Sequence, residues 1–426
     1  MANIRKSLLQ FVFSGAYMKR WNDKLRPMEF IEADKQAHKM IVAWILCRLN
    51  AAPLSLPARL ELEQEVIERA MFDYFLRLVI TDIKPPVFYR IRQNPEHYSR
   101  LAEWVLGELE PLLGDLGEDF WRRCVSYLRR PALKPGRDLS PPPGQEDLAA
   151  RILDAAHTYA SGWELGILSA MNSFDPELPD IIEDFKNKLD RHRDLAGFPA
   201  IIGEEKSALG SFARLCGQLR FQKRWSQVPR IPETSVMGHM FFVACYAYFF
   251  SLAVEAGKAR RVNNFFCALF HDLPELLTRD IISPVKKSVD DLGVLIRAYE
   301  EEELQRRVFE PLRLEGYQEL TDRLGYYLGL GVGSEFYECI REDGKVRRVG
   351  SFAELQENFN ADRHDPKDGE LLKACDNLAA FIEAYTATRN GINSGELHDA
   401  IWRIRGRLAR TVLGRVHVGA ILADFD

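Results

Sequence analysis

Apolar residues recur every three or four positions along most of the chain, which is the spacing of one face of an α-helix. Two clear examples are residues 62–80 (LEQEVIERAMFDYFLRLVI) and residues 370–387 (ELLKACDNLAAFIEAYTA). Strand-like alternation is sparse, and its best example is residues 336–352, which contain the hairpin turn sequence Glu-Asp-Gly-Lys. The proline-rich stretch at 140–147 marks a loop followed by a helix. The pattern predicts an all-α fold with one small β-hairpin.

The pattern also repeats. Four landmarks occur twice in the same order: a Lys-Arg-Trp sequence, a histidine that leads an apolar helix, a segment that ends in Pro-Val, and an aspartate within an apolar helix. They lie at 19–21 and 223–225, His38 and His239, 73–87 and 271–285, and Asp154 and Asp376. Such a repeat indicates a tandem duplication of one helical domain. We therefore expect two helical domains of one type, at 1–185 and 186–426, with the hairpin as an insertion in the second.

The second copy carries a His-Asp pair, His271 and Asp272, at the end of an apolar segment, and Glu275 follows closely. On a helix these spacings put the three side chains near one face. Burying an imidazole with two carboxylates is costly unless protons or a cation compensate, and these groups suit a divalent transition metal. Asp376 and His239 offer a further carboxylate and imidazole in apolar helices. The order His, His-Asp, Asp predicts a metal site.

These motifs resemble those of the HD-domain metal-dependent phosphohydrolases. Among these, they look most like the bacterial 5′-deoxynucleotidases, which remove phosphate from deoxynucleoside monophosphates. The resemblance covers about residues 206–390 and is carried by an Arg-Trp pair, by Ser-Val-Met-Gly-His and by HDLPELLTRDIISPVKK. It implies that one divalent metal is bound by four side chains. The implied ligands are His239, His271, Asp272 and Asp376.

The same resemblance implies the remaining roles. Glu275 would be the acid/base group at the catalytic centre beside Asp272, Arg224 would hold the phosphate with Trp225 nearby, and Asp280 would contact the sugar side of the nucleotide. The chemistry agrees, because a metal activates water, a carboxylate can transfer protons and an arginine can clamp a phosphate. The expected reaction is removal of phosphate from (deoxy)nucleoside 5′-monophosphates. The ligand set suits Mn, Co, Fe, Ni or Zn better than Ca.

The first copy lacks most of these groups. The residues aligned with His271, Asp272 and Glu275 are Asp73, Tyr74 and Arg77. Asp73 and Arg77 have the spacing of an ion pair on a helix, while His38 and Asp154 are retained. We interpret the first copy as a structural domain without a metal site. The alternative is a regulatory pocket in which Arg20, Arg77 and His38 bind a nucleotide without hydrolysing it.

Net charge, apolar runs and cysteine spacing indicate which classes of partner and which compartment the chain favours. The net charge is −5 with scattered basic residues, so nothing favours nucleic-acid binding. The longest apolar run, at 240–254, is short for a membrane span and typical of a buried helix. Seven cysteines without a paired pattern indicate a reducing compartment, so we expect a cytoplasmic protein. The expected partner is a small-molecule nucleotide, and the protein is expected to be a monomer that forms a fused pseudo-dimer, or a homodimer.

Two other functions stay open. An HD-type phosphodiesterase or triphosphohydrolase is the alternative within enzymes, but no further histidines that could bind a second metal lie near His271. A non-catalytic nucleotide sensor is the other alternative. Glu275 argues against it, because binding alone does not need an acid/base group beside a metal.

Overall fold

The computed structural model describes residues 3–130, 147–203, 206–278 and 292–425. Its helices are α1 Lys6–Phe13, α2 Glu32–Asn50, α3 Leu56–Ile80, α4 Pro85–Gln93, α5 Pro95–Leu113, α6 Glu118–Leu128, α7 Leu148–Ser169, α8 Leu178–Asp190, α9 Phe198–Ile202, α10 Ala208–Gly217, α11 Val236–Ala253, α12 Lys258–Phe270, α13 Glu275–Thr278, α14 Leu292–Leu304, α15 Glu310–Leu314, α16 Gln318–Tyr327, α17 Phe352–Asn358, α18 Gly369–Arg389, α19 Gly395–Leu408 and α20 Val418–Ala423. The strands form antiparallel pairs, β1 Lys19–Arg20 with β2 Phe30–Ile31, β3 Cys339–Glu342 with β4 Lys345–Arg348, and β5 Val412–Leu413 with β6 Val416–His417. The predicted all-α fold is confirmed.

Two groups of three helices make up the centre of the molecule. In the first group α2 packs against α3 and α7, and in the second α11 packs against α12 and α18. The groups meet where α2 packs against α11 and α3 against α12. One hydrophobic core therefore runs through both groups. The apolar faces that the sequence pattern indicated are buried against the other group as well as within their own.

Helix α11 lies at the middle of this core. It contains the apolar run at 240–254, and by length and composition alone it could cross a membrane. In the structure 89% of the helix is buried inside the fold. Contacts on all its sides explain why its sequence shows no polar face. The expectation of a buried helix at this position is confirmed.

The predicted hairpin at 336–352 is confirmed as strands β3 and β4. Asp343 and Gly344 form its turn with φ angles of 49° and 75°, as a two-residue hairpin turn with positive φ at both central residues requires. The Cys339 amide donates to the Lys367 carbonyl at 3.1 Å, and the Lys367 amide donates back at 2.9 Å. These bonds attach the hairpin to the chain just before α18.

Three further expectations concern the loop before α7, the cysteines and the boundary between the two domains. Residues 140–146 of the predicted loop lie outside the described residues, but the helix expected after it is α7, which Asp147 caps by accepting from the Ala150 amide at 3.1 Å. All seven cysteines are buried and free of disulfides. The boundary predicted after residue 185 falls inside α8, which packs on α7. The division into two domains stays a prediction.

Both halves enter their central helix in the same way. A short antiparallel pairing precedes α2, and an equivalent pairing precedes α11. The paired residues are Lys19 with Ile31 and Lys223 with Ser235. In each half a tryptophan with left-handed backbone follows the arginine of this turn, Trp21 with φ 57° and Trp225 with φ 58°. The two halves therefore share this pairing and this backbone turn as well as the Lys-Arg-Trp sequence.

Arg220 connects the halves through buried polar contacts. Its side chain is 0% exposed, and it donates to Glu164 Oε1 at 2.7 Å and to His38 Nδ1 at 3.1 Å. Its guanidinium also stacks over the Trp163 ring at 4.6 Å. Because His38 Nδ1 accepts from Arg220, His38 Nε2 carries the proton and donates to the Ala213 carbonyl at 2.9 Å. Burial and Arg220 lower the pKa of His38 to about 3, so this imidazole is neutral.

Replacing Arg220 with Met is expected to destabilise the fold strongly. The variant leaves Glu164 buried with one cation fewer, and breaking a buried ion pair costs roughly 3–5 kcal/mol. The control is Arg100→Met, which removes an exposed pair with Glu96 and is expected to cost less than about 1 kcal/mol. The free energy of unfolding in urea measures both. Equal small losses in the two variants would contradict the assignment of Arg220 as a structural link between the halves.

Candidate metal centre

Three of the predicted metal ligands meet at the centre of the second half. The side chains of His239, His271 and Asp376 bring one nitrogen or oxygen atom each to within 4.8 Å of one another. His239 comes from the first turn of α11, His271 follows the end of α12, and Asp376 lies within α18. Asp272 Oδ2 completes the set at 3.2 Å from His271 Nε2 and 3.9 Å from His239 Nε2.

The local backbone at this site differs from the prediction. We expected one helix to carry His271, Asp272 and Glu275, but α12 ends at Phe270 and α13 begins at Glu275. The cause is Pro274, which has no amide hydrogen and disfavours helical backbone in the residue before it. A tight turn replaces the helix, with the Glu275 amide donating to the Asp272 carbonyl at 3.1 Å. The turn still directs the His-Asp pair towards α18.

Both histidines present the same ring nitrogen to the cluster. His271 Nδ1 donates to the Ala268 carbonyl at 2.7 Å, and His239 Nδ1 faces Glu383 Oε1 at 3.4 Å. Each Nε2 therefore points inwards, and His239 Nε2 lies 3.2 Å from Asp376 Oδ1. His271 Nε2 is buried and makes no hydrogen bond of acceptable geometry. A buried imidazole nitrogen without a partner beside carboxylates fits a metal ligand held in position by its other nitrogen.

The electrostatics of the cluster favour a positive charge at its centre. Burial lowers the pKa of His271, but Asp272 and Asp376 outweigh it and raise that pKa well above its ordinary value. Burial raises the pKa of Asp272, yet His271 and Arg224 hold it well below its ordinary value. Burial also raises the pKa of Asp376, but Lys373 and the two histidines outweigh it and hold that pKa well below its ordinary value. Two ionised carboxylates and two imidazoles fit a divalent transition metal.

The predicted phosphate-binding residues reach this cluster. Arg224 is 14% exposed, and its Nη1 lies 3.5 Å from Asp272 Oδ2. Its Nε donates to Glu383 Oε2 at 3.3 Å, and the Trp225 indole donates to the same oxygen at 2.8 Å. We call these two residues the Arg224–Trp225 arm. The structure therefore brings the arm and the metal ligands together, as the resemblance implied.

Two residues at the site were missed from the sequence. Glu383 lies two helical turns after Asp376 on the buried side of α18, a position that an acidic residue does not occupy without a partner. Lys373 Nζ donates to Asp376 Oδ2 at 2.8 Å and lies 4.1 Å from the centre of the Phe336 ring. The spacing of Glu383 from Asp376 was the available signal. Nothing in the sequence distinguishes Lys373 from an ordinary surface lysine.

Of the two remaining predicted residues, Glu275 and Asp280, the structure describes Glu275. Glu275 is buried at the start of α13, directly after the turn that holds Asp272. Asp280 lies outside the described residues, so its contact with the sugar stays a prediction. The acid/base role of Glu275 also stays a prediction.

The backbone register corrects the predicted counterpart of His239. His239 lies four residues after Ser235, and Lys35 lies four residues after the corresponding Ile31. Lys35, and not His38, therefore occupies the ligand position in the first half. The prediction that His38 retains it is wrong, because both ring nitrogens of His38 serve the contacts between the halves.

The predicted counterpart of Asp376 is wrong for a similar reason. Asp154 has a side chain that is 61% exposed on the outer face of α7. His157 instead lies seven residues before Glu164, the spacing that separates Asp376 from Glu383. By this spacing His157 is the first-half residue that matches Asp376, a predicted metal ligand.

The predicted ion pair between Asp73 and Arg77 is also absent among the described contacts. Arg77 Nη2 donates to Asp82 Oδ1 at 2.9 Å, while Asp73 lies 3.3 Å from Lys39 Nζ and accepts from the Tyr127 hydroxyl at 2.8 Å. Arg77 lies in the last turn of α3, and its guanidinium hydrogen bonds go to the segment just after the helix. It therefore turns away from Asp73.

Side-chain cations compensate the buried acid of the first half. Lys35 Nζ lies 3.5 Å from Glu32 Oε1, and Arg20 Nη1 donates to Glu32 Oε2 at 2.8 Å. Burial lowers the pKa of Lys35 to about 7. Within the described ranges, no other group of three or more His, Cys, Asp or Glu side chains brings possible ligand atoms this close together. In the first half the buried acid is instead paired with lysine and arginine side chains.

Comparison with known families gives a match to the part of the chain that holds the cluster. Residues 216–405 match the family model of the HD domain. The match supports an HD domain in this part of the chain, and HD domains are in general metal-dependent hydrolases that bind a divalent metal. It contains all the predicted metal ligands and lies within the predicted second domain. No curated protein and no solved structure matches the chain.

Metal binding is expected to stabilise the protein through the second half alone. A ligand that binds only the folded state at about 100 times its Kd adds roughly 2.7 kcal/mol of stability, so Mn²⁺ raises the unfolding temperature. His239→Ala should abolish this shift. Lys35→Met, at the matching position of the first half, should keep it. Thermal unfolding with Mn²⁺ and with chelator measures the effect, and an equal shift in wild type and His239→Ala would refute the site.

Proposed function

We propose that the second half is a metal-dependent phosphomonoesterase that removes phosphate from (deoxy)nucleoside 5′-monophosphates. The observation that carries the proposal is the approach of Arg224 to the cluster of His239, His271, Asp272 and Asp376. The HD domain supports metal-dependent phosphohydrolase activity in general. The nucleotide substrate rests on the sequence motifs and on the Arg224–Trp225 arm.

The chain's own residues would divide the work as follows. A bound metal lowers the pKa of water and draws charge from the phosphoryl oxygens. Arg224 would exchange its long contact with Asp272 for the phosphate oxygens, because a guanidinium binds a phosphate through two parallel hydrogen bonds. Glu275 would take a proton from the attacking water and give it to the leaving sugar oxygen. Trp225 would shape the pocket, since its indole nitrogen is already bonded to Glu383.

Lys373 would supply a second positive charge to the phosphate. Its side chain is 47% exposed, and its Nζ lies beside Asp376 at the edge of the cluster. A phosphomonoester carries about two negative charges at neutral pH. Arg224 and Lys373 together would balance that charge outside the metal. The arrangement favours a dianionic monoester over a singly charged diester.

The first half is proposed to be a copy of the same domain that no longer holds a metal. Two contacts support the duplication. Arg20 Nε donates to Glu164 Oε2 at 2.9 Å and the Trp21 indole donates to the same oxygen at 2.8 Å, which reproduces the contacts of the Arg224–Trp225 arm with its glutamate. The packing of the two halves through α2, α3, α11 and α12 supports a fused pseudo-dimer that is monomeric in the cytoplasm.

Phosphate release from a panel of nucleotides tests the proposal. We expect wild type with Mn²⁺ or Co²⁺ to release phosphate from 5′-monophosphates, and chelator to stop the reaction. Asp272→Ala should be inactive, and Glu275→Gln should lose roughly 10²- to 10⁴-fold in rate. Asp73→Asn is the matched control in the first half and should keep full activity.

The panel also separates the alternatives. Deoxyribonucleotides and ribonucleotides in parallel report the sugar preference. If metal binds but no monophosphate is hydrolysed, the nucleotidase proposal is wrong. Release from triphosphates or cleavage of diesters would then indicate another HD-type hydrolase, and binding without turnover would indicate a nucleotide sensor.

A further inference from the structure

Glu383 connects the two parts of the site through one buried carboxylate, whose side chain is 0% exposed. Its Oε1 accepts from the Thr234 hydroxyl at 2.8 Å and faces His239 Nδ1 at 3.4 Å. Its Oε2 accepts from the Trp225 indole at 2.8 Å and from Arg224 Nε at 3.3 Å. One oxygen thus serves a metal ligand and the other serves the phosphate-binding arm.

The contact with His239 has a defined chemical consequence. A carboxylate beside one imidazole nitrogen favours the tautomer with the proton on that nitrogen, which leaves the other nitrogen free to bind a metal. At 3.4 Å the contact is electrostatic and not a hydrogen bond of good geometry, and it favours the proton on His239 Nδ1, so that Nε2 faces Asp376. Thr234 holds Oε1 in place, because its hydroxyl donates to the same oxygen. The ring orientation of His239 therefore depends on Glu383.

The first half shows which of these contacts belongs to the metal. Glu164 holds Arg20 and Trp21 through Oε2, as Glu383 holds its own arm. Its Oε1 accepts from Arg220 at 2.7 Å instead of facing a histidine. The glutamate holds an Arg-Trp pair through Oε2 in both halves. Its other oxygen faces a histidine in the second half, beside the metal-type cluster, and an arginine in the first.

We propose that Glu383 is a positioning residue that couples metal binding to phosphate binding. Through Oε1 it fixes the tautomer and orientation of His239, and through Oε2 it fixes the Arg224–Trp225 arm. The second part rests on the proposed function. The first part rests only on the metal site.

Glu383→Gln tests the proposal because the amide keeps the size and loses the charge. An amide has one oxygen, so it cannot accept hydrogen bonds on both sides. We expect the affinity for Mn²⁺ or Co²⁺, measured by titration calorimetry, to fall roughly 10- to 100-fold. The KM for the nucleoside monophosphate at saturating metal should rise as well.

Two further variants test the two oxygens of the Glu383 carboxylate one at a time. Thr234→Val removes the hydroxyl at Oε1 and should weaken metal affinity while leaving KM at saturating metal unchanged. Trp225→Phe removes the shorter of the two hydrogen bonds to Oε2 and should raise KM while leaving metal affinity unchanged. Glu164→Gln is the matched control, since it disrupts the same arm contacts in the first half and should leave both quantities unchanged.

The outcomes are distinct. A folded Glu383→Gln variant with wild-type metal affinity overturns the proposal, because a purely structural role changes stability and not metal affinity. If that variant does not fold, the two further variants decide: equal metal affinities in Thr234→Val, Trp225→Phe and wild type overturn it. A failure of the nucleotidase assignment would be separate, because wild type would bind metal without releasing phosphate, while the differences in metal affinity would persist.

Discussion

A buried carboxylate needs a positive charge beside it, and this requirement shapes both halves of the molecule. In the second half Asp272 and Asp376 lie against two imidazoles and favour a positive charge between them. In the first half Glu32 lies against Lys35 and an arginine. Arg220 then supplies the charge that holds a carboxylate where the halves meet. Similar backbone thus supports two solutions, one suited to a metal and one made from side chains.

This difference fits a single candidate metal centre among the described residues, in the second half. The central helices α2 and α11 pack against each other, so each half buries the apolar surface of the other. The first half stabilises the second without needing ligands of its own. Its Arg-Trp turn and buried glutamate hold the entry to the central helix. The proposed chemistry depends on groups of the second half, namely the His-Asp turn, Asp376 and the contact of Glu383 with His239.

Local features were predictable from the sequence, and most long-range ones were not. Periodicity gave the helices and turn chemistry gave the hairpin, because both depend on neighbouring residues. The order of the metal ligands was recognisable as a motif. The first-half counterparts were misassigned, since His38 and Asp154 matched by residue type, whereas the backbone register selects Lys35 and His157. Glu383 was missed because its partners come from a turn and a helix far away in the sequence.

The central claim is that the metal binds in the second half and that Lys35 takes the matching position in the first. Anomalous X-ray diffraction from crystals soaked in Mn²⁺ tests it most directly, because it counts and locates the ions without requiring activity. We predict one strong peak between Nε2 of His239 and Nε2 of His271, and no peak beside Lys35. A peak near Lys35 and His157, or none between the two second-half histidines, would contradict the account.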